Sequence, residues 1–276
     1  MKYIFPFFVI ILQVYIILGL VIYLAQDHLL FPKQPLAPKN QQWLAQTFPN
    51  AEITFLTPDQ IQLQGWLLRS PQATAEKTPL LIYFGGNAEE VSTMAWHMEH
   101  FPGWSLLLIN YRGYGLSEGN PSQQHLFADA LTIYDTISQR TDIDQSCIVA
   151  MGRSLGTGVA VHLAAQRPLD GVILISPYDS VTAVAKQIYF FLPVSLLLKH
   201  PFNSIAQAPQ ITAPMLTLVA KEDSLIKPSH SYRLAEHWQG PHEVQELPAV
   251  NHDTIMESKG FWPPVEQFLN QRCSTP

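Results

Sequence analysis

Ser154, Asp223 and His252 are the residues whose types and order in this chain could support acyl chemistry. A serine hydroxyl is a weak nucleophile at neutral pH unless a base accepts its proton, and that base needs a carboxylate to orient it. Nucleophile, acid and base follow one another in one of the known orders of a serine triad. The three residues therefore predict nucleophilic catalysis at a carbonyl carbon, with Ser154 as nucleophile, His252 as base and Asp223 as acid.

The sequence around Ser154 supports this role. Ser154 lies between Gly152 and Gly156 in a G-x-S-x-G motif, which follows an apolar run of strand length at 147–151 and precedes a helical pattern. A strand–turn–helix setting is what a nucleophile elbow requires, because the serine must sit on a tight turn with its hydroxyl exposed. The alternative is an ordinary strand-to-helix turn in which the serine caps the helix.

Position along the chain selects the base and the acid. The chain has 10 histidines, and His252 follows the last predicted strand, 242–247, and precedes the final helix. Asp223 lies in a loop just beyond the predicted strand 215–220, where the acid of such a triad is expected. Glu222 is the close rival for the acid, and we favour Asp223.

Two backbone amides are candidates for an oxyanion hole. The amide of Leu155 follows the nucleophile, and a second donor is expected from the loop after the third strand. That loop contains Gly85 and Gly86, whose missing side chains permit close approach of the backbone to a substrate. We assign the second donor to the amide of Asn87, which is also a suitable N-cap for the helix that follows.

Strands and helices alternate along the chain in a way that would bring these residues together. An alternating hairpin at about 53–67 is followed by continuous apolar runs at 80–84, 106–109, 147–151, 172–175 and 215–220. Such runs mark strands buried on both faces. Helical patterns separate them, and Asn120 and Pro121 predict the start of one helix. The predicted fold class is α/β, with a mostly parallel sheet, an N-terminal antiparallel hairpin and helices on both faces.

Five segments resemble the alpha/beta-hydrolase superfamily, in particular its small membrane-anchored alpha/beta-hydrolase-domain proteins and its serine-aminopeptidase-like members. The segments are residues 83–88, 110–119, 152–156, 221–231 and 251–252. The resemblance extends over about residues 50 to 270. It implies the alpha/beta-hydrolase fold with a triad of Ser154, Asp223 and His252. It also implies that residues 111–119 form a structural turn beside the active site.

The N-terminus is apolar over the length of a membrane span. Residues 3–25 contain Gln13 as the one strongly polar side chain, and 23 helical residues would cross a hydrocarbon core of about 30 Å. The run is longer than the apolar core of a signal peptide, which has about 7–15 residues, and Tyr23 is too bulky for a cleavage site after Ala25. We therefore expect one uncleaved transmembrane helix.

We expect the chain to divide into an anchor at 1–26, a proline-rich linker at 27–45 and an alpha/beta-hydrolase domain at 46–272 with a short cap at 178–214. A chain that starts near Lys39 should therefore be soluble and still hydrolyse short esters. Lys2 precedes the span and Asp27 follows it, which favours a catalytic domain outside the cytoplasm but leaves the side open. The cap is either a lid that lines an acyl pocket or contacts the bilayer, or a helix pair that covers the sheet.

Composition argues against several functions. The 276-residue chain has a net charge of −6 and no Lys/Arg cluster, which argues against nucleic acid as a partner. A serine triad works without a cofactor or a metal, and we expect neither. The two cysteines, Cys147 and Cys273, suit neither a disulfide framework nor a zinc site. The sequence favours two separate thiols and leaves their pairing open.

These observations predict a membrane-anchored serine hydrolase that cleaves an ester or thioester bond through an acyl-enzyme. Its substrate would be a small acyl molecule, a lipid or an acylated protein. A serine peptidase or aminopeptidase with the same triad is the alternative, favoured if the cap selects a free amino end. A catalytically inactive membrane scaffold is a third interpretation, and such a protein would be expected to have lost a triad residue or an elbow glycine.

Overall fold

A computed structural model describes residues 4–272, so residues 1–3 and 273–276 lie outside the described part of the chain. The described part begins with a 27-residue helix, α1 (Ile4–Leu30). Its segment Phe8–Leu30 has a mean hydropathy of 2.7. The large apolar side chains that point outward from α1 between Phe8 and Leu24 are 37–64% exposed. By length and composition, α1 is suited to cross a membrane.

The segment after the apolar run differs from the expected linker at 27–45. α1 continues four residues beyond the expected anchor, to its end at residue 30, and a second helix, α2 (Pro38–Thr47), lies largely within the linker. Pro38 occupies the start of α2, where its missing N–H removes no helical hydrogen bond. Asn40 and Leu44 are buried. Packing of α2 against the domain therefore orders residues that composition alone marks as a spacer.

The sheet has the eight strands β1 (Glu52–Leu56), β2 (Gln62–Arg69), β3 (Thr78–Phe84), β4 (Ser105–Ile109), β5 (Ile143–Arg153), β6 (Gly171–Ile175), β7 (Met215–Ala220) and β8 (His242–Leu247). Their order across the sheet is β1-β2-β4-β3-β5-β6-β7-β8. β1 and β2 form an antiparallel hairpin, β2 pairs antiparallel with β4, and the other neighbours are parallel. The predicted mostly parallel sheet with its N-terminal hairpin is confirmed.

The remaining α-helices are α3 (Gln123–Ile137), α4 (Leu155–Gln166), α5 (Val181–Ile188), α6 (Val194–Leu197), α7 (Pro228–Glu236) and α8 (Trp262–Arg272). Shorter 3-10 segments include Val91–His100. The predicted start of α3 at Asn120 and Pro121 is wrong. Ser122 is the N-cap, since its Oγ accepts from the His125 amide at 3.1 Å. The side-chain oxygen of Asn120 instead accepts from Lys33 Nζ at 2.7 Å.

Apolar clusters lie on both faces of the sheet, as β3 shows. Leu80 and Ile82 belong to one cluster, together with side chains of α3 and α4. Leu81 and Tyr83 belong to the other, together with side chains of α2 and α8. Every residue of β4 and of β6 is buried. Helices therefore cover both faces of the sheet. In sheets of this kind, ligands bind at the edge formed by the carboxyl ends of the strands and the loops that follow them.

Cys147 on β5 corrects the expectation of separate thiols, because it is disulfide-bonded. It is buried in the same apolar cluster as Val265 and Phe268 of α8. A helix from the end of the chain thus packs over the middle of the sheet. The apolar run around Cys147 predicts its burial but not which segment packs against it, so the bond was not predicted. Cys273 lies outside the described residues.

Candidate active site

Ser154 sits on a sharp turn between β5 and α4. Its backbone has φ 49° and ψ −116°, a conformation that is strained for a non-glycine residue. The Ser154 amide donates to Ile175 O on β6 at 2.9 Å, and Ser154 O accepts from Thr157 Oγ1 at 2.6 Å. These bonds hold the strained residue at the carboxyl edge of the sheet, in the strand–turn–helix setting that the motif predicts.

Gly152 and Gly156 occupy positions that have no room for a side chain. A Cβ on Gly156 would lie 2.1 Å from Phe84 O, and a Cβ on Gly152 would lie 2.4 Å from Gly156 O. Both obstacles are backbone atoms, so neither can move aside without displacing β3 or α4. The two glycines of the motif therefore allow the close approach of β5, β3 and α4 that forms the elbow.

His252 connects Ser154 with Asp223. Its Nε2 lies 2.9 Å from Ser154 Oγ, and its Nδ1 lies 2.7 Å from Asp223 Oδ2. Both are hydrogen-bond distances. Asp223 comes from the loop after β7 and His252 from the loop after β8, and the carboxyl ends of these parallel strands share one edge of the sheet. The structure thus brings together the three residues that the sequence selected.

The second oxygen of Asp223 is held by its own loop. Oδ1 accepts from the amide of Leu225 at 3.0 Å and from the amide of Ile226 at 2.8 Å, and the side chain is 1% exposed. Glu222, the rival acid, is exposed. The geometry therefore pairs the imidazole with Asp223 and not with Glu222.

The two candidate oxyanion donors lie beside Ser154, and Asn87, Ser154 and Leu155 line the same cavity. Leu155 is the first residue of α4, so its N–H lacks an acceptor within the helix and lies at the positive end of the helix dipole. Asn87 belongs to residues 85–89, which we call the oxyanion loop. The Gly86 amide donates to Glu89 Oε2 at 2.8 Å, so it is already engaged. The amide of Asn87 is therefore the second candidate donor.

Glu89 and Arg153 form an ion pair that the sequence analysis missed. Arg153 Nη1 lies 3.2 Å from Glu89 Oε2, and Arg153 Nη2 donates to His252 O at 3.4 Å. Glu89 also accepts from the amide of Gly86 at 2.8 Å and from the hydroxyl of Tyr83 at 2.7 Å. This pair links the oxyanion loop, the elbow and the histidine loop. A signal existed, because Arg153 directly precedes the candidate nucleophile and Glu89 lies in the glycine-rich loop.

Burial and the charge of Glu89 set the protonation states in this cluster. Burial raises the pKa of the Tyr83 hydroxyl well above its ordinary value, and the negative charge of Glu89 raises it further. Burial would lower the pKa of Arg153, but Glu89 outweighs that effect and the pKa is raised. Tyr83 therefore stays a neutral donor and Arg153 a cation at neutral pH, which preserves their contacts with Glu89.

An apolar cavity of about 310 Å³ has Ser154 in its lining. Apart from Ser154, Asn87 and Gln26, its lining is composed of Leu, Ile, Val, Ala and Tyr residues. The volume is at the lower end of the roughly 300–1,000 Å³ that is usual for small-molecule sites. Such a lining is suited to an apolar group. The candidate donors, the amides of Leu155 and Asn87, lie in the same lining as Ser154 and could orient a carbonyl.

One wall of the cavity comes from the cap segment at 178–214. The cap contains α5 and α6, and a β-bridge between Ser180 and Asn203 closes its base. The cap residues that line the cavity are Tyr178, Val181, Val184, Ala185, Ile188, Tyr189, Leu192, Val194, Leu197 and Leu198. The cap thus lines the cavity that contains Ser154.

Another wall comes from α1, which the sequence analysis assigned to a separate unit. The α1 residues that line the cavity are Ile22, Tyr23, Gln26, Leu29 and Leu30. Gln26 joins α1 to the cap, because its Nε2 donates to Leu197 O at 2.9 Å and its Oε1 accepts from the Lys199 amide at 2.9 Å. An apolar helix has the same composition whether it faces lipid or a pocket, so this contact could not be predicted from the residues of α1 alone.

Comparison with known proteins agrees with this fold. Residues 75–200 match the family model described as serine aminopeptidase, S33. The chain is 32% identical over 224 residues to an uncharacterized protein of Mycobacterium tuberculosis, covering 80% of this chain and 79% of the relative. It is 27% identical over 259 residues to an uncharacterized membrane protein of Saccharomyces cerevisiae, covering 91% of each. It is 28% identical over 244 residues to the alpha/beta hydrolase domain-containing protein WAV2 of Arabidopsis thaliana, covering 80% and 78%.

Two solved esterase structures show the same fold. An acetyl xylan esterase of Thermoanaerobacterium superposes with a TM-score of 0.66 at 19% identity, over 81% of this chain and 83% of that chain. An esterase of Pyrococcus furiosus superposes with a TM-score of 0.67 at 18% identity, over 87% of this chain and 97% of that chain. At such identities the likeness is one of fold, and the chemistry must be argued from the residues.

Proposed function

We propose that this chain, which belongs to the alpha/beta-hydrolase superfamily, is a serine hydrolase that cleaves an ester or thioester bond of an acyl substrate at a membrane. The observation that carries the proposal is the hydrogen-bonded row of Ser154, His252 and Asp223, with 2.9 Å and 2.7 Å between successive partners. A hydroxyl becomes a nucleophile when a base lies within hydrogen-bond reach and an acid orients that base.

In the proposed mechanism, Ser154 Oγ attacks the acyl carbon while His252 Nε2 accepts its proton. Asp223 holds the proton on His252 Nδ1 and stabilises the imidazolium that forms. The amides of Leu155 and Asn87 donate to the oxyanion of the tetrahedral intermediate. His252 then protonates the leaving alcohol or thiol, and the acyl group remains on Ser154. Water repeats the sequence as nucleophile and releases the acid.

An acyl ester or thioester suits the cavity better than a peptide with a free amino end. An aminopeptidase has to recognise a cationic amino group, which in a water-excluded pocket calls for a negatively charged partner. Among the described residues that line the cavity, none is an aspartate or a glutamate. The family model named for a serine aminopeptidase keeps that activity as the alternative. The apolar lining favours an acyl chain.

A catalytically inactive scaffold is the weaker alternative. Such a protein would be expected to have lost a triad contact or an elbow glycine. Ser154, Asp223 and His252 are within hydrogen-bond distance of their partners, and the backbone at Ser154 keeps its strained conformation. Strain of this kind persists where the surrounding structure enforces it, which favours a site maintained for chemistry.

The proposed location is a membrane, through α1 as an uncleaved single-pass anchor. The apolar segment Phe8–Leu30 and the yeast relative described as a membrane protein support it. We propose a catalytic domain outside the cytoplasm, because Lys2 precedes the span and disulfide-bonded Cys147 suits an oxidising compartment. Full-length protein should stay with membranes after a carbonate wash and keep Tyr3 at its N-terminal end. A mature chain beginning near residue 26 would contradict the anchor.

The proposed chemistry is tested with the full-length protein in detergent on two substrate series. The first is p-nitrophenyl esters of increasing acyl length, and the second is aminoacyl p-nitroanilides. We expect ester hydrolysis that rises with acyl length up to the capacity of the cavity, and p-nitroanilide hydrolysis at least about 10²-fold slower. Faster cleavage of the p-nitroanilides would establish the aminopeptidase alternative, and no turnover of either series would favour the scaffold.

A further inference from the structure

The cap lies along α1 over several helical turns. Tyr15 donates its hydroxyl proton to Phe191 O at 2.8 Å, and Gln26 binds Leu197 and Lys199 of the cap. Tyr15 and Gln26 are eleven residues apart, which is about 16 Å along the axis of an α-helix. The cap therefore runs beside the apolar helix for about half the thickness of a hydrocarbon core of about 30 Å.

The part of the cap that faces α1 has the composition of a membrane-embedded segment. Residues 189–198 contain no charged side chain. Phe190 is 82% exposed and Leu196 is 85% exposed, an arrangement that is unfavourable in water. Lys186 and Lys199 flank the segment on either side. Apolar side chains within a leaflet, with lysines near its polar boundary, account for this pattern.

The polar end of the contact between α1 and the cap marks the level of the boundary between the apolar leaflet and the polar interface. Asp27 is the first charged residue after the apolar run, and its carboxylate lies 3.2 Å from Lys199 Nζ and 2.9 Å from His200 Nε2. Lys199 Nζ also lies 4.9 Å from the centre of the Tyr23 ring. Charged groups and a tyrosine at one height of a spanning helix are typical of the membrane–water interface.

We propose that the cap is embedded in one leaflet against α1 and that the transmembrane helix is itself a wall of the acyl site. Resting on the proposed function, this inference names the substrate class: a long-chain acyl ester or thioester that resides in the bilayer. Its chain enters between α1 and the cap, since Ile22 and Leu29 of α1 and Leu192 of the cap all line the cavity. Its carbonyl reaches Ser154, which lines the same cavity.

Ile22→Trp tests the wall, because it places a bulky ring in the acyl site. The matched control is Leu24→Trp, two residues away, at a side chain that is 64% exposed and does not line the cavity. Full-length protein in phosphatidylcholine vesicles is assayed with p-nitrophenyl palmitate and p-nitrophenyl butyrate. We expect Ile22→Trp to lower the palmitate-to-butyrate ratio of kcat/KM at least about tenfold. Small steric differences in an apolar pocket change the kcat/KM of one substrate relative to another by about this factor or more. The control should change it less than about twofold.

Equal ratios in the two variants would overturn the inference. Ser154→Ala separates that failure from failure of the proposed function. If Ser154→Ala still hydrolyses both esters, the proposed function fails whatever the ratio is. If Ser154→Ala is inactive but the tryptophan variants have equal ratios, only the role of α1 as a wall fails.

A second experiment measures the depth of the cap in the membrane and does not depend on activity. It therefore tests the inference even if Ile22→Trp folds poorly. Phe190→Cys and Ser146→Cys, the latter on the exposed part of β5, are reacted in vesicles with a charged, membrane-impermeant maleimide. The unsubstituted chain gives the background from its own cysteines. We expect Phe190→Cys to react at least about tenfold more slowly than Ser146→Cys and to react fully after denaturation in SDS. Equal rates in vesicles would overturn the embedded cap.

Discussion

Asp223 Oδ2 lies 2.7 Å from His252 Nδ1, and the other oxygen of the same carboxylate accepts two backbone amides of its own loop. The carboxylate is therefore fixed on both sides while its neighbour Glu222 faces solvent. This relationship supports Asp223 over Glu222 as the orienting acid of the proposed triad.

Asp223→Asn should lower kcat for ester hydrolysis by more than about 10²-fold, because an amide favours the wrong imidazole tautomer. The control Glu222→Gln should cost less than about tenfold. Steady-state kinetics on p-nitrophenyl butyrate with thermal unfolding of each variant gives both numbers. A larger loss for Glu222→Gln would make Glu222 the acid.

Glu89→Gln should lower kcat about tenfold with little change in KM. The amide can still accept from Gly86, but it removes the charge opposite Arg153 and frees the oxyanion loop to shift. Because the Arg153 guanidinium is half-buried, loss of its ion-pair partner should also reduce the free energy of unfolding by about 1–3 kcal/mol. The control is Glu99→Gln, at a side chain that is 80% exposed. Unchanged kcat at unchanged stability would exclude Glu89 as a positioning residue.

Asp179 predicts a pH-dependent contribution to stability at the base of the cap. Its oxygens lie 2.8 Å from His230 Nδ1 and 2.7 Å from Arg233 Nε. Burial would raise the pKa of Asp179, but the hydrogen bonds from His230 and Arg233 outweigh it and hold the pKa below its ordinary value. A carboxyl whose folded pKa is lowered stabilises the fold above its unfolded pKa of about 3.9, and this stabilisation is lost as the pH falls through the folded value.

Asp179→Asn should therefore lower the melting temperature at pH 7, and the difference from the unsubstituted protein should shrink below about pH 4. Thermal unfolding at pH 7, 5 and 3.5 measures it. Asp135→Asn is the control, because that carboxylate pairs with Arg167 at the surface and is 52% exposed, where ion pairs contribute little. A difference that stays constant or widens at low pH would contradict the assigned charge state.

A chain that starts at Lys39 should lose long-chain esterase activity more than short-chain activity. The cut removes no strand, so the sequence-based expectation of short-ester hydrolysis stands as a prediction. It also removes the α1 wall and Phe31, which is 3% exposed and packs against Phe202 in the core. Loss of that burial should cost about 1.5–3 kcal/mol of unfolding free energy. Unchanged melting temperature and an unchanged palmitate-to-butyrate ratio would show that α1 is only an anchor.

The sheet and the grouping of the candidate triad were predictable from the sequence because each has a local pattern. Strands buried on both faces produce continuous apolar runs, and the run at 215–220 coincides with β7. The order of the strands then places the loops after β5, β7 and β8 at one edge. Ser154 could be selected because its motif joins a strand to a helix.

Contacts between distant segments had no such pattern. Gln26 and Leu197 are 171 residues apart, and no periodicity or spacing connects them. The proline content at 27–45 indicated a spacer, but the packing of α2 against the domain decided its structure. The ion pair of Glu89 and Arg153 is similarly non-local, since it depends on how closely the oxyanion loop approaches the elbow. Tertiary packing, which composition does not report, determined these features.

Labelling of Ser154 by a fluorophosphonate tests the central claim most directly. The full-length protein in membranes should be labelled, and Ser154→Ala should lose the label together with at least about 10³-fold in kcat while its melting temperature stays within a few degrees. Ser146→Ala, on the exposed part of β5, is the control and should be labelled like the unsubstituted protein. Labelling that persists in Ser154→Ala would place the nucleophile elsewhere and contradict the proposed triad.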